Sequence, residues 1–138
     1  MDEWRSSVQN DLTAEGLPIF NVQWISPEYG QLGEFAWPVN DDSRHLWPSY
    51  ARTWKYAWSD TDVVMIDGRF RVSCGLLVAL SGFKGIILLH DCERPQYQIL
   101  FQVLQLVARV ERLAVFKVPV TDNERLNDLI EKHLYDAN

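Results

Sequence analysis

Residues 61–95, TDVVMIDGRFRVSCGLLVALSGFKGIILLHDCERP, contain the pattern that decides the fold. Residues 62–66 and 86–89 are short, continuously apolar runs, which are typical of strands covered by helices on both faces. Between them, residues 71–81 predict a helix that ends near Gly82. A strand, a helix and a second strand in this order favour a parallel pair with a right-handed crossover.

The flanking sequence extends this alternation of helices and strands. The pattern predicts a helix over residues 2–14, a strand over 18–25, a helix that begins near Pro48, a long helix from Pro95 to about Arg112, a strand over 113–118 and a helix over about 122–135. The helix near Pro48 carries an aromatic stripe of Trp47, Tyr50, Trp54 and Trp58. We interpret this stripe as core, and a ligand wall or subunit interface is the alternative. Thr121 and Glu124 have the spacing of a capping box for the last helix.

These elements predict one α/β domain over residues 1–138. Its expected architecture is a three-layer, Rossmann-like, mostly parallel sheet with helices on both faces. Hydrophobic residues make up 47% of the 138 residues and charged residues 23%, as in globular proteins. The formal net charge of -6 argues against nucleic-acid and membrane binding, which both need a basic surface. Two cysteines without a disulfide framework, and an N-terminus without an apolar core, favour a cytoplasmic protein.

Polar side chains follow both central strands. Asp67, Gly68, Arg69 and Arg71 come after the first run, and His90, Asp91, Glu93 and Arg94 come after the second. Ligands of open parallel sheets bind outside the carboxyl ends of the strands, so these residues are expected to line one crevice.

Two kinds of chemistry suit that crevice. A histidine beside carboxylates can act as a general base, which makes Asp67, His90 and Asp91 candidate catalytic residues. The oxygens of Asp67 and Asp91 also suit Mg²⁺. Arg69, Arg71 and Arg94, with Glu93, are candidate ligand-binding residues because guanidinium groups recognise carboxylates and phosphates. For each residue the alternative is a structural role in a turn, a cap or a salt bridge.

The motifs that mark common nucleotide and hydrolase sites do not occur. The sequence has no GxGxxG, no GxxxxGK[ST] and no GxSxG. A dinucleotide fold, a P-loop and a hydrolase nucleophile elbow are therefore disfavoured.

Residues 37–116 resemble a bacterial family of class I methyltransferase-like proteins. The pieces that carry the resemblance are WPSYARTW, DVVMIDGRFRVSCGLLVAL, IILLHDCERPQYQ and RLAVFKV. Within the third piece, Arg94 and Tyr97 form the R-x-x-Y that follows the HD of His90 and Asp91, and the resemblance adds Tyr97 to the ligand-binding candidates.

The resemblance implies a methyltransferase-like fold without its front part. The glycine-rich turn that binds S-adenosylmethionine in this family, and the acidic residue that ends its second strand, have no counterpart in the chain. S-adenosylmethionine binding by this chain alone is therefore not expected. Strand ends equivalent to Asp67 and His90-Asp91 supply Mg²⁺ ligands in metal-dependent relatives of the family.

Three hypotheses follow from this partial likeness. The chain is a binding module for a small molecule or a protein, or an active methyltransferase or metal-dependent enzyme completed by oligomerisation, or one piece of a longer protein with a missing N-terminal segment. Either the strand at 18–25 closes against 61–66, or a second subunit fills the gap. The second of these possibilities leads us to expect a homo-oligomer.

Overall fold

The structure is a computed structural model that describes residues 2–17, 25, 27–53 and 61–137. Its helices are α1 (Asp2–Ala14), α2 (Trp47–Ala51), α3 (Arg71–Leu80), α4 (Gln98–Val103) and α5 (Asn123–His133), and its strands are β1 (Val63–Ile66), β2 (Ile86–Leu89), β3 (Gln105–Val110) and β4 (Leu113–Lys117). Short 3₁₀ helices in the described parts of the chain include Glu34–Ala36, Arg44–Leu46 and Pro95–Tyr97. The strand predicted over 18–25 lies outside the described residues, apart from Ile25, which is not in a strand.

The four strands form one mixed sheet in the order β1-β2-β4-β3. β1 and β2 are parallel, and their register runs from Val63 opposite Ile86 to Ile66 opposite Leu89. The β2–β4 and β3–β4 pairs are antiparallel. The predicted parallel pair is therefore confirmed, but the prediction of a mostly parallel sheet is wrong.

The error arises from the segment after Pro95. A 3₁₀ turn and α4 end at Val103, and β3 and β4 then form a hairpin with a register shift between Leu106 and Ala108. Apolar residues four apart predicted one long helix, but residues four apart also share one face of a strand, because four is an even number. Glu111, with φ 51, makes the tight turn that reverses the chain.

One face of the sheet forms the core. Ile87, Leu89, Ala114 and Phe116 are fully buried and belong to a cluster with side chains from α3, α4 and α5. On the opposite face of β1, Val63 is 50% and Met65 59% exposed. The described residues therefore do not confirm the prediction that both faces of this strand are covered.

A second, aromatic cluster packs beside the first turn of α3. Tyr29, Trp47 and Phe70 are buried there, with Tyr50 half-buried against them. The Tyr29 and Tyr50 rings lie 5.0 Å apart edge to face, and the Tyr50 and Phe70 rings lie 5.4 Å apart. The core interpretation of the aromatic stripe thus applies to its first two residues, while Trp54 and Trp58 lie outside the described residues.

The last helix begins one residue later than the capping-box spacing suggests. The Asp122 carboxylate accepts hydrogen bonds from the backbone N–H groups of Glu124 and Arg125, so Asp122 and not Thr121 is the cap. None of the helices in the described parts of the chain is long and apolar enough to cross a membrane.

Candidate functional site

The parallel pairing of β1 with β2 brings the two polar clusters together. Because Ile66 is opposite Leu89, the residues that follow them are neighbours, and His90 Nδ1 lies 2.9 Å from Asp67 Oδ1. Asp91 follows in the left-handed region, at φ 56, which carboxylate and amide residues tolerate better than most. The side chains of Asp67 and His90 remain 46% and 39% exposed, whereas that of Asp91 is 7% exposed. Asp67 and His90 are therefore open to a ligand, and Asp91 is not.

Asp91 is held by three arginines. Its Oδ2 lies 2.5 Å from Arg94 Nη2 and 3.4 Å from Arg71 Nη1, and its Oδ1 lies 2.5 Å from Arg112 Nη2. Both carboxylate oxygens thus face guanidinium groups, and Asp91 joins β2 to α3 and to the β3–β4 turn.

The buried side chain of Arg71 connects the residues that follow the two strands. Its Nε donates to the Gly68 carbonyl at 2.8 Å and its Nη1 to the His90 carbonyl at 2.6 Å. Its Nη2 lies 3.3 Å from Asp67 Oδ1, and its side chain is only 5% exposed. The donors of this predicted ligand-binding residue are therefore engaged within the protein.

Glu93 and Arg112 form an exposed pair beside Asp91. Arg112 Nε donates to Glu93 Oε1 at 2.8 Å. The pKa of Glu93 is lowered by a hydrogen bond from its own backbone N–H and by the Arg112 side chain, and that of Arg112 is raised by Glu93 and Asp91. Arg112 could not be predicted as a site residue, because its place in the site depends on the β3–β4 hairpin that replaces the predicted helix.

Tyr97 lies inside the core and away from the surface. It is fully buried, and its ring lies 5.3 Å from the Arg71 guanidinium carbon. Its hydroxyl has no hydrogen-bond partner among the described residues. Of the predicted ligand-binding residues, Arg71 and Tyr97 are thus buried, whereas Arg69, Glu93 and Arg94 are at least partly exposed.

A cavity of about 280 Å³ opens beside the end of β1. Its walls are mostly apolar and are formed by Ile25, Pro27, Tyr50, Ala51, Thr53, Val64, Met65, Ile66, Asp67, Gly68, Arg69, Cys74 and Val78. Gly68 touches the Tyr50 hydroxyl so closely that a Cβ on Gly68 would lie 2.1 Å from it. Burial raises the pKa of Tyr50, against a smaller lowering by the Arg69 backbone N–H that donates to it.

Asp67, His90 and Asp91 are also the candidate metal ligands. One ligand atom from each lies within 4.8 Å of the others. Carboxylate oxygens suit Mg²⁺ in type, but three guanidinium groups already surround Asp91. A cation would have to displace at least one of them and would lie beside the others, so the arrangement does not fit a resident Mg²⁺.

Comparison with known proteins gives a structural relative. No protein-family model matches the chain, and no curated protein matches it. A crystal structure of a methyltransferase-like protein from Silicibacter pomeroyi DSS-3 superposes with a TM-score of 0.76 at 24% sequence identity, covering 98% of this chain and 73% of that one. At this identity the likeness concerns the fold, and the chain therefore has the α/β fold of a methyltransferase-like protein.

Proposed function

We propose that the chain is a methyltransferase-like domain that binds a small molecule in the cavity beside the end of β1. The observation that carries the proposal is the combination of an apolar cavity of about 280 Å³ with charged groups at its edge. Such a cavity is slightly smaller than most ligand pockets, which measure about 300 to 1,000 Å³. A few convergent polar groups on apolar walls are the usual composition of a binding site.

The polar groups of the site form two sets. The buried set holds the two strand ends together and is called the frame here, and the exposed set is available to a ligand. Arg71 and Asp91 are buried and hold the two strand ends together. Asp67 and His90 are about half exposed and hydrogen-bonded to each other, so a ligand can reach them without breaking the frame. The exposed pair thus lies at the rim of the cavity that Asp67 helps to line.

This proposal is tested by adding small fragments to the full chain and monitoring their binding by NMR. Fragments with an apolar ring are expected to shift the methyl resonances of Val64, Ile66 and Val78, which line the cavity. Methyl groups of Leu126 and Ile130, which are buried residues of α5, provide the control. If no fragment in the panel shifts the resonances of these three cavity residues, small-molecule binding is contradicted. If the resonances shift only when a partner protein is added, the chain is better described as a protein-binding module.

Binding of S-adenosylmethionine is not part of this proposal. The chain lacks the glycine-rich sequence that cradles this cofactor in the resembled family. Calorimetry of the full chain with S-adenosylmethionine is expected to show no binding in the micromolar range. Micromolar binding would reject the proposal in favour of a transferase.

A second candidate is an active enzyme that uses Asp67 and His90. The hydrogen bond of 2.9 Å between them orients the imidazole, as in general acid–base pairs. Such an enzyme would be a methyltransferase or, if Asp91 can leave its arginines, a metal-dependent enzyme. Turnover in a methyl-acceptor panel that His90→Gln abolishes, with or without Mg²⁺, would support it, and no turnover in any condition would exclude it.

We further propose that the chain self-associates and works in the cytoplasm. Self-association is supported by the exposed apolar side chains of Val63 and Met65 on β1. Light scattering during gel filtration is expected to give twice the monomer mass or more at micromolar concentration. A monomer under these conditions would contradict this part of the proposal.

A further inference from the structure

We propose that the molecule bound beside β1 carries a carboxylate or phosphate group and that Arg69 holds this anion. The inference rests on the proposed small-molecule function and adds the chemical class of the ligand. The four arginines of the site, Arg69, Arg71, Arg94 and Arg112, differ in whether a carboxylate contacts them.

Three of these arginines are already neutralised. The Asp91 carboxylate contacts three of them, Arg71, Arg94 and Arg112. In addition, Arg71 pairs with Asp67, and Arg112 pairs with Glu93. Arg69 forms no salt bridge with any residue in the described ranges. Its Nη1 is buried and has no hydrogen-bond acceptor there. A cationic side chain without a counter-ion at the wall of a cavity attracts an anion, and a bound carboxylate or phosphate would pair with the Arg69 guanidinium.

The surroundings of Arg69 orient its charge without cancelling it. Its guanidinium carbon lies 4.4 Å from the centre of the Trp37 ring, a cation–π contact that holds the guanidinium in place and brings no opposite charge. Tyr29 and Tyr50 also lie near Arg69, but burial raises the pKa of both hydroxyls. Both phenols are therefore neutral at physiological pH and cannot serve as counter-ions.

The cavity next to Arg69 suits the rest of such a molecule. Arg69 lines the cavity together with Val64, Ile66 and Val78. A volume of about 280 Å³ admits a small ring or a branched alkyl group. The structure thus points to a small organic acid or phosphate ester, with its apolar part against β1 and its anion at Arg69.

Three matched probes test this inference by NMR titration of the full chain in Tris buffer. Phenylacetate and phenyl phosphate carry the anion, and phenylacetamide has nearly the same shape as phenylacetate but no charge. Both acids are expected to bind at least tenfold more tightly than the amide, and NaCl is expected to weaken the acids alone. Whichever acid binds more tightly identifies the preferred anion.

Two variants assign the preference to Arg69. Arg69→Gln is expected to bring the affinity for both acids down to that of the amide and to leave the amide unchanged. Arg109→Gln removes the same charge from exposed β3 and is the matched control, with no expected change. Arg69→Lys, which keeps a charge but not the fork, is expected to keep part of the preference.

The outcomes separate this inference from the proposed function. If the amide binds in the cavity as tightly as the acids, or if Arg69→Gln keeps the preference, the cavity binds ligands but the assignment of an anion to Arg69 is wrong. If none of the three probes shifts the cavity resonances, both proposals fail. The comparison of acids with amide uses the unaltered chain, so it decides the question even if Arg69→Gln does not fold.

Discussion

Replacing Asp91 by asparagine is expected to destabilise the fold by about 3–5 kcal/mol. The variant keeps the size of the side chain and tolerates φ 56, so it removes mainly the charge. Arg71, whose side chain is 5% exposed, loses one carboxylate partner but keeps Asp67 and two backbone carbonyls. Breaking a buried pair costs about 3–5 kcal/mol, and the remaining partners of Arg71 favour the lower end. Arg94 and Arg112 are more exposed, so their pairs add at most about 1 kcal/mol each.

Urea unfolding followed by circular dichroism measures this free energy. Asp91→Ala is expected to lose about 1 kcal/mol more than Asp91→Asn, because alanine is strained in the left-handed region. Asp41→Asn is the control, since Asp41 is 76% exposed and its pair with Arg44 spans 3.9 Å, so its cost should stay below about 0.5 kcal/mol. An Asp91→Asn variant as stable as the control would refute the structural role assigned to Asp91.

Further predictions concern single residues at the cavity and its rim. Gly68→Ala should destabilise the fold by about 1–3 kcal/mol in urea unfolding, because the new Cβ would lie 2.1 Å from the Tyr50 hydroxyl. Gly33→Ala is the control and should cost little, because its new Cβ has no contact below 3.7 Å. Equal stabilities of the two variants would contradict the close contact at Gly68. Burial raises the pKa of Cys74 from 9.0 to about 12. Stability should therefore fall as the pH rises above about 9, because there the thiol ionises in the unfolded chain alone. Thermal unfolding of Cys74→Ala should show a smaller decline over the same pH range. The pKa of Glu93 is lowered from 4.5, so its contribution to stability should be present at neutral pH and lost on acidification below about 4.5, and an unchanged acid limb in Glu93→Gln would count against it.

The elements that could be predicted from the sequence are those with one local explanation. α3 and β2 are bounded by glycines or polar residues and contain continuous apolar runs, so pattern and structure agree within a residue. The segment over residues 105–110 could not be predicted, because its spacing fits a helix as well as a strand. Only its pairing with β4 decides between them, and that pairing depends on distant residues.

The same limit applies to the site. The sequence predicts that Asp67, His90 and Asp91 line one crevice if their two strands are neighbours, and the hydrogen bond between Asp67 and His90 is added by the structure. The contrast between Arg69 and Arg71 cannot be read from the chain, since both are arginines two positions apart. It is created by Phe70, which is fully buried between them with φ 55. This turn leaves Arg71 in the frame and Arg69 at the cavity.

The division of the polar residues into frame and cavity groups has a consequence for every functional test. Loss of activity or binding on changing Asp91 or Arg71 would report a disturbed frame, because both are buried and bonded to both strand ends. Asp67 is exposed enough to be changed with less effect on folding, and Arg69 has no carboxylate partner in the described part of the site to leave unpaired. A role in function is therefore best judged from Asp67, His90 and Arg69, and a residue among these three that changes binding without changing stability belongs to the site itself.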